Sequence, residues 1–231
     1  MTGLLPELIA LVAPAACPAC HAALAGADVR LCPDCAAALP WLPRGVCAAC
    51  SLPAHRRGAC PAGRAAFARA WAPLAYDGVA RELVGALKFR GALPLANLMA
   101  AHMAANLPRD VRAVARSAEA EIVPVPAHAA RRRRRGFDPA AALARGFAQR
   151  LDLPVADCLR RRDHAPRQVG RSRAARRLAG RLTIEPRAAP PEHALLVDDV
   201  HTTGATLDAC ARALRAAGCA HVTAVTYART L

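Results

Sequence analysis

One segment of twelve residues constrains the fold and the chemistry of this chain more than any other. Residues 195–206 read Leu-Leu-Val-Asp-Asp-Val-His-Thr-Thr-Gly-Ala-Thr. The apolar residues predict a buried strand, which leads into two adjacent carboxylates, Asp198 and Asp199. A loop with two threonines and Gly204 follows, and a helix is expected to begin at about Ala205.

The loop of this segment is typical of an anion-binding site. N–H groups at a helix N-terminus bind anions, and the hydroxyls of Thr202 and Thr203 add further donors. Gly204 lets the backbone approach a phosphate closely. Because the paired carboxylates would repel a phosphate, we expect them to bind sugar hydroxyls or magnesium on the same ligand. The alternative is an ordinary strand–loop–helix with a threonine N-cap. A Walker A loop is excluded because the chain has no Gly-Lys-Ser or Gly-Lys-Thr.

The whole C-terminal part predicts an α/β fold, because strand patterns alternate with helical patterns after residue 69. The predicted strands cover 70–76, 121–126, 193–200 and 221–227, and the predicted helices cover 79–89, 95–107, 139–151 and 205–217. Such alternation predicts a mainly parallel sheet with crossover helices. A ligand is then expected at the carboxyl ends of the strands, where loops meet helix N-termini.

Cysteine pairs dominate the N-terminal part and predict a zinc site. Seven of the ten cysteines precede residue 61, and Cys17, Cys20, Cys32 and Cys35 form two Cys-x-x-Cys pairs. Two such pairs supply the four sulfurs of a tetrahedral structural zinc site. The alternatives are disulfides, which would suit a secreted protein, and a redox-active Cys-x-x-Cys.

A second cysteine cluster follows, and its interpretation is open. Cys47 and Cys50 form a third pair, and Cys60 lies ten residues further on. A second zinc would need a fourth ligand, which His55 could supply. A remnant of a former zinc site fits the same residues.

The charge of the chain is concentrated in one stretch. The net charge is +15, and 31 of the 32 basic residues are arginines, with Lys88 as the exception. Residues 128–181 carry 16 basic and 4 acidic side chains, and they include the five-arginine run 131–135. This positive field favours a phosphate-rich or polyanionic partner, although the run also fits a solvated face. Aromatic residues make up 3% of the chain, so a base-stacking surface would be sparse.

No apolar run in the sequence reaches the roughly 18 residues that a membrane-spanning helix needs. The N-terminus is apolar, but no basic residue precedes its apolar stretch, and Pro6 and Glu7 interrupt it. We expect a short amphipathic helix there instead of a secretory signal. The expectation is therefore a cytoplasmic protein without membrane insertion.

Residues 195–206 resemble the 5-phosphoribosyl-1-diphosphate (PRPP) motif of type I phosphoribosyltransferases. Together with the cysteine-rich N-terminus, the whole chain resembles the ComF family, in which a zinc-ribbon region precedes a phosphoribosyltransferase-like domain. Segments 87–91 (Leu-Lys-Phe-Arg-Gly), 123–126 (Val-Pro-Val-Pro) and 134–138 (Arg-Arg-Gly-Phe-Asp) fit this family, as do Gln168 and Arg176. Gly63 stands where a cysteine would be expected, Asp138 where asparagine is usual, and Ala165 and Ala179 where polar residues would be expected.

The resemblance implies two parts, a zinc-ribbon module with an N-terminal helix over 1–69 and a phosphoribosyltransferase-like domain over 70–231. It implies transfer of the 5-phosphoribosyl group of PRPP to an unidentified nitrogen acceptor, with Mg²⁺ and release of diphosphate. Asp198 and Asp199 would hold the ribose hydroxyls and magnesium, and Lys88 and Arg90 would contact the diphosphate. The 5-phosphate would be bound by the loop and the first helical turn, namely Thr202, Thr203, Gly204, Ala205 and Thr206.

Two other functions fit the same sequence. ComF relatives are linked to competence, which implies a non-catalytic PRPP-binding protein that contacts single-stranded DNA or the DNA-uptake machinery through the basic stretch 128–181. A PRPP-responsive regulator without turnover is the other possibility. Arg160–Arg162 and Arg171–Arg177 are expected in a mobile basic loop that closes over the ligand.

Overall fold

The described residues form a five-stranded sheet in which every strand pairing is parallel. In this computed structural model the described residues are 16–26, 28–55, 60–117, 119–162 and 182–231. The strands are β1 (Arg69–Trp71), β2 (Leu74–Ala75), β3 (Ala120–Pro124), β6 (His193–His201) and β7 (His221–Arg229). Their order is β1-β7-β6-β3, and β2 also pairs with β7. The predicted parallel α/β sheet is therefore confirmed.

Helices connect these strands and cover both faces of the sheet. The helices within the described residues are α1 (Pro33–Ala37), α2 (Gly78–Phe89), α3 (Pro94–Asn106), α4 (Arg109–Val114), α5 (Ala129–Arg135), α6 (Pro139–Leu151) and α7 (Ala205–Ala216). Side chains of α2, α3 and α6 pack on the face that carries Leu195 and Val197. Side chains of α7 pack on the opposite face with Leu196. Successive residues of β6 thus contact different cores, which explains why its apolar run has no polar interruptions.

The predicted strand over 70–76 is split into β1 and β2. Pro73 has no N–H to donate to the sheet, so the ladder is interrupted at this point. The N–H of Ala72 donates instead to the Ser51 hydroxyl at 3.0 Å. The other predicted strands and helices of this part are present, with ends that differ from the expected ones by at most two residues.

A separate antiparallel pair, β4 (Leu159–Arg162) and β5 (Thr183–Pro186), lies beside α7. Arg160 and Arg162 both bond the Glu185 carboxylate, at 3.0 and 2.9 Å. The expectation that Arg160–Arg162 lie in a mobile loop is therefore wrong, because cross-strand pairing holds them in a strand. Gln168, Arg176 and Arg171–Arg177 lie outside the described residues, as do Ala165, Ala179 and the expected N-terminal helix.

The cysteine-rich segment packs against the edge of the sheet formed by β1 and β2. The N–H of Ala70 donates to the carbonyl of Ala48, and the N–H of Ala75 donates to the carbonyl of Pro40. Cys17 and Cys35 are buried in the same core as α2 and α3. The proposed boundary at residue 69 stays a prediction. None of the helices formed by the described residues is both long and apolar enough to cross a membrane.

Candidate functional site

The loop between β6 and α7, residues 202–204, is shaped as an anion cradle. Gly204 occupies the N-cap of α7 with φ of +81°, a conformation that side chains other than glycine's adopt at a cost. Gly204 has no side chain with which to cap the helix, so the N-terminal N–H groups of α7 face the loop. A Cβ at Gly204 would lie 2.8 Å from His201 Nε2. The buried His201 ring therefore supports the loop from beneath and leaves room for glycine alone.

The two acidic residues before this loop have different surroundings. Asp199 is buried, and its Oδ1 lies 2.7 Å from Lys88 Nζ at the C-terminal end of α2. The Asp198 carboxylate accepts a hydrogen bond from the N–H of Asp199 at 2.8 Å. Loss of solvent around it and the negative charge of Asp199 raise the pKa of Asp198 to about 8. Two adjacent carboxylates of which only Asp199 pairs with a lysine form a place where a further cation would be stabilised.

These carboxylates fit the oxygen preference of Mg²⁺, which binds to proteins through one or two carboxylates together with substrate phosphates. Asp198 is the better candidate ligand, because Lys88 already neutralises Asp199 and no described ion pair involves Asp198. Loss of solvent and then the negative charge of Asp199 raise the pKa of Asp198, and a bound divalent cation would stabilise the ionised carboxylate against both effects.

A basic pocket of about 270 Å³ opens beside Lys88. It is lined by Lys88, Phe89, Gly91, Arg134, Arg135 and Phe137. The Arg135 guanidinium lies over the Phe89 ring at 5.0 Å, and its buried Nε has no hydrogen-bond partner among the described residues. The left-handed Gly136 ends α5 and turns the chain back after these arginines. Three cations around one opening form a site for a polyanion such as diphosphate.

A second pocket, of about 220 Å³, is lined in part by the loop 202–204, named the phosphate loop from here on after the ligand expected there. Its walls come from the segment 61–67, from the loop and from the first turns of α7. The N–H of Ala66 donates to Asp208 Oδ1 at 2.7 Å, and Arg212 Nε donates to the same carboxylate at 2.9 Å. The end of the cysteine-rich segment is thereby held against the helix that follows the loop.

The first cysteine cluster brings all four predicted sulfurs together. The ligand atoms of Cys17, Cys20, Cys32 and Cys35 lie within 4.8 Å of one another, and Cys20 Sγ is 3.6 Å from Cys32 Sγ. A tetrahedron with Zn–S bonds of about 2.3 Å has sulfur–sulfur edges of about 3.8 Å. The first pair forms a tight turn in which the N–H of His21 donates to the carbonyl of Cys17, with φ of +65° at His21. These residues fit a structural zinc ion.

The second cluster repeats this geometry with His55 as a fourth ligand. The ligand atoms of Cys47, Cys50, His55 and Cys60 lie within 4.8 Å of one another. The N–H of Ser51 donates to the carbonyl of Cys47 and Ser51 has φ of +61°, as His21 does in the first turn. A hydrogen bond with His55 lowers the pKa of Cys47 to about 6, which favours the thiolate that zinc binds. Three sulfurs and one imidazole are a complete zinc donor set.

Comparisons with known proteins match both parts of the chain. The family model of the double zinc ribbon domain matches residues 8–64, and that of the phosphoribosyl transferase domain matches residues 133–230. The Competence protein F of Haemophilus influenzae (strain ATCC 51907 / DSM 11121 / KW20 / Rd) is 35% identical to this chain over 102 residues. The chain is a ComF-like protein. The alignment covers 42% of the chain and 44% of that relative, so it spans less than half of the relative's length.

Among solved structures, the orotate phosphoribosyltransferase from Aeropyrum pernix is similar to the ComF-like chain at 20% identity. The match covers 63% of this chain and 62% of that one, with a TM-score of 0.31. The assignment of the phosphoribosyltransferase-type fold rests instead on the family match and on the parallel sheet. The match to a double zinc ribbon and the two ligand clusters agree that the ComF-like chain holds structural zinc.

The predicted site residues of the ComF-like chain meet at one edge of the sheet, with one exception. Asp198 and Asp199 follow the buried apolar run of β6, and Lys88 reaches Asp199 from α2. Thr202 and Thr203 lie in the loop, and Ala205 and Thr206 begin α7. Arg90, expected at the diphosphate, donates instead to the carbonyl of Pro18 in the first cysteine turn. Its contact with diphosphate stays a prediction.

Sequence reasoning missed one functional candidate of the ComF-like chain and left two others only partly specified. Arg134 and Arg135 were identified as members of the arginine run and of the segment 134–138, but the sequence did not show that they line a pocket with Lys88. Arg229 at the end of β7 carries no local signal, although its side chain contacts both the loop and the second cysteine cluster.

Proposed function

We propose that this chain binds PRPP with Mg²⁺ and transfers its 5-phosphoribosyl group to a nitrogen acceptor. The observation that carries this proposal is the Lys88–Asp199 ion pair, which joins the acid pair to the basic pocket at the edge where the phosphate loop lies. One ligand with a terminal phosphate, a diol and a diphosphate would use the phosphate loop, the acid pair and the basic pocket together.

The 5-phosphate is assigned to the loop. Its oxygens would accept hydrogen bonds from N–H groups of residues 203–206 and from the hydroxyls of Thr202, Thr203 and Thr206. The positive end of the α7 dipole adds a favourable interaction with the phosphate charge. Gly204 caps α7 without a side-chain hydrogen bond, and the N–H of Ala205 donates to Thr203 Oγ1 at 3.4 Å, a bond that the phosphate would replace.

The ribose and the diphosphate are assigned to the acids and the basic pocket. Asp198 and Asp199 would accept hydrogen bonds from the two ribose hydroxyls, and Asp198 would also hold magnesium. Mg²⁺, when bound, neutralises charge on the diphosphate and assists its departure. Lys88, Arg134 and Arg135 would contact the diphosphate oxygens. Because Lys88 bonds Asp199 at 2.7 Å, ligand binding and the charge of the acid pair are coupled through one ammonium group.

In the transfer, the bond between the anomeric carbon and the diphosphate oxygen breaks, and diphosphate leaves with the electron pair. The acceptor nitrogen supplies the electron pair of the new carbon–nitrogen bond and releases one proton to solvent. Positive charge develops on the ribose ring while the bond to diphosphate breaks and before the carbon–nitrogen bond is complete. The carboxylates of Asp198 and Asp199 would stabilise this charge.

A diphosphate-release assay tests the transfer. The chain would be incubated with PRPP and Mg²⁺ and with ammonia or free purine and pyrimidine bases in turn. Release that depends on one acceptor, and that falls by about 100-fold or more in Asp199→Asn, supports transfer. Asp157→Asn is the matched control, because it removes one exposed carboxylate whose described ion pair is with Arg187 and not with a residue of the site. PRPP binding without acceptor-dependent release would assign the chain to regulation or DNA handling instead.

A nucleic-acid-associated function is the second candidate. Arg131–Arg134 on α5 are exposed, and Phe89, at 70% exposure, lies beside the same pocket. Exposed arginines next to an aromatic ring suit the backbone and bases of a single strand. Binding of a single-stranded oligonucleotide that weakens steeply with salt and in Phe89→Ala would favour this function. The name of the Haemophilus influenzae relative agrees with it.

A further inference from the structure

Arg229, the last residue of β7, connects two parts of the molecule that are distant in sequence. Its Nε donates to the carbonyl of Cys50 at 2.9 Å. Its Nη1 donates to the carbonyl of His201 at 2.9 Å and to that of Thr202 at 2.5 Å. Cys50 belongs to the second cysteine cluster, and His201 and Thr202 open the phosphate loop. One guanidinium therefore contacts both.

The burial of Arg229 shows that these contacts are specific. Only 4% of the residue is exposed, and no carboxylate among the described residues forms an ion pair with it. A buried cation is costly unless its donors are bonded, and backbone carbonyls meet that need here. The N–H of Thr230 also donates to the His201 carbonyl at 3.0 Å, so the start of the loop is held by two adjacent residues.

The second cluster supplies both geometry and charge at this point. Zinc with three thiolates and a neutral imidazole carries one net negative charge next to the guanidinium. The Cys50 carbonyl is fixed by the turn around Ser51, whose hydroxyl accepts the N–H of Ala72. Metal binding at Cys47 and Cys50 would hold this turn closed.

We infer that Arg229 is a positioning residue through which the metal-bound second cluster holds the phosphate loop in its binding conformation. The inference rests on the proposed PRPP site. It gives the second cluster a role in ligand binding as well as in stability. The first cluster has no described contact with the loop, and its contact with Arg90 lies on the side of the basic pocket. Loss of metal from the two clusters should therefore have different effects.

The test separates the two ends of the ligand. Ribose 5-phosphate probes the loop and inorganic diphosphate probes the basic pocket, and both affinities are measured by calorimetry on the full chain. In Arg229→Lys a single ammonium group cannot make all the hydrogen bonds of the planar guanidinium, so ribose 5-phosphate should bind about tenfold more weakly than to the wild type. The affinity for diphosphate should stay within about twofold of the wild-type value. Arg187→Lys, at an exposed arginine whose described side-chain bonds all go to Asp157, is the matched control and should change neither affinity.

A metal arm uses Cys60→Ser and Cys20→Ser, with zinc counted by mass spectrometry. Each should lose about one equivalent, and only Cys60→Ser should weaken ribose 5-phosphate binding, again by about tenfold. Hydrogen exchange of the backbone amides of residues 201–206 should be faster in Arg229→Lys and in Cys60→Ser than in the wild type, and unchanged in Cys20→Ser. If Arg229→Lys fails to fold, the comparison of Cys60→Ser with Cys20→Ser tests the inference by itself.

Two results would overturn the inference, and they are distinguishable. If the wild type binds ribose 5-phosphate and both Arg229→Lys and Cys60→Ser keep its affinity within about twofold, the coupling through Arg229 is absent while the PRPP site stands. If the zinc-loaded wild type binds neither PRPP nor ribose 5-phosphate, the proposed function fails and the inference fails with it.

Discussion

Lys88 Nζ lies 2.7 Å from Asp199 Oδ1, so the only lysine of the chain neutralises one of the two adjacent carboxylates. Asp199 is buried and Lys88 is about three-quarters buried. A compact ammonium fits between a carboxylate and the open pocket more easily than the broad guanidinium of arginine. This pairing explains why a lysine stands here in a chain that otherwise uses arginine.

Lys88→Gln should destabilise the protein and weaken PRPP binding together. The substitution leaves the buried Asp199 carboxylate without its cation, and we expect a loss of about 2 kcal/mol in the free energy of unfolding. Urea denaturation would measure it. Arg187→Gln removes an exposed partner of Asp157, and its change should stay within about 0.5 kcal/mol. Equal losses in the two variants would contradict a buried pair.

The free energy of unfolding without magnesium should decrease as the pH rises from about 4 to about 8. The pKa of Asp198 is raised from 3.8 to about 8 on folding, so the folded state binds the proton more tightly than the unfolded state. The stabilisation is present at low pH and is lost as the pH rises through the folded pKa. Asp198→Asn should remove this slope.

The measurement is chemical denaturation of the wild type and Asp198→Asn at pH 5 and pH 8. The advantage of the variant over the wild type should be larger at pH 8. The same difference in the free energy of unfolding at both pH values would show that folding does not raise the pKa of Asp198.

Gly204→Ala should weaken phosphate binding and destabilise the protein more than Gly218→Ala does. Both glycines have left-handed φ, at +81° and +106°, so each alanine costs about 1–2 kcal/mol of backbone strain. At Gly204 the added Cβ would also lie 2.8 Å from His201 Nε2, whereas nothing lies within 4 Å at Gly218. Thermal denaturation and ribose 5-phosphate titration would compare the two. Equal effects on binding would contradict the close packing of His201 under the loop.

The chain should bind two zinc equivalents, and His55→Ala should leave about one that is tightly bound. His55 completes the second donor set, because its ring contacts Cys47 and its ligand atom lies within 4.8 Å of those of the three cysteines. His55→Cys should restore the second equivalent. Zinc analysis after dialysis against a weak chelator measures both. Two retained equivalents in His55→Ala would exclude His55 as a ligand.

The sequence predicts the parts of the fold that depend on local patterns. Residues 193–201 are identifiable as a strand because they contain an apolar run. The start of α7 is identifiable because Thr202, Thr203 and Gly204 are typical loop residues that precede an alanine-rich and leucine-rich helical segment. The antiparallel pair β4–β5 was missed because β4 is mostly arginine, and its stability comes from cross-strand contacts with Glu185.

The parts of the site that depend on distant contacts could not be predicted. Arg229 reaches Cys50, 179 positions away, and no periodicity encodes that distance. Arg135 is one of five identical neighbours, and its packing on Phe89 depends on how α5 ends at Gly136. The contact of Arg90 with Pro18 likewise depends on where the cysteine turn lies against α2.

A titration of PRPP into the zinc-loaded chain, with and without Mg²⁺, tests the central claim most directly. The same titration should be made with the double variant Asp198→Ala/Asp199→Ala. The control is Asp157→Ala, which makes the same aspartate-to-alanine change at an exposed position. We expect magnesium-dependent binding that the double variant loses and the control keeps. The absence of binding by the folded, zinc-loaded wild type, or full affinity in the double variant, would contradict it.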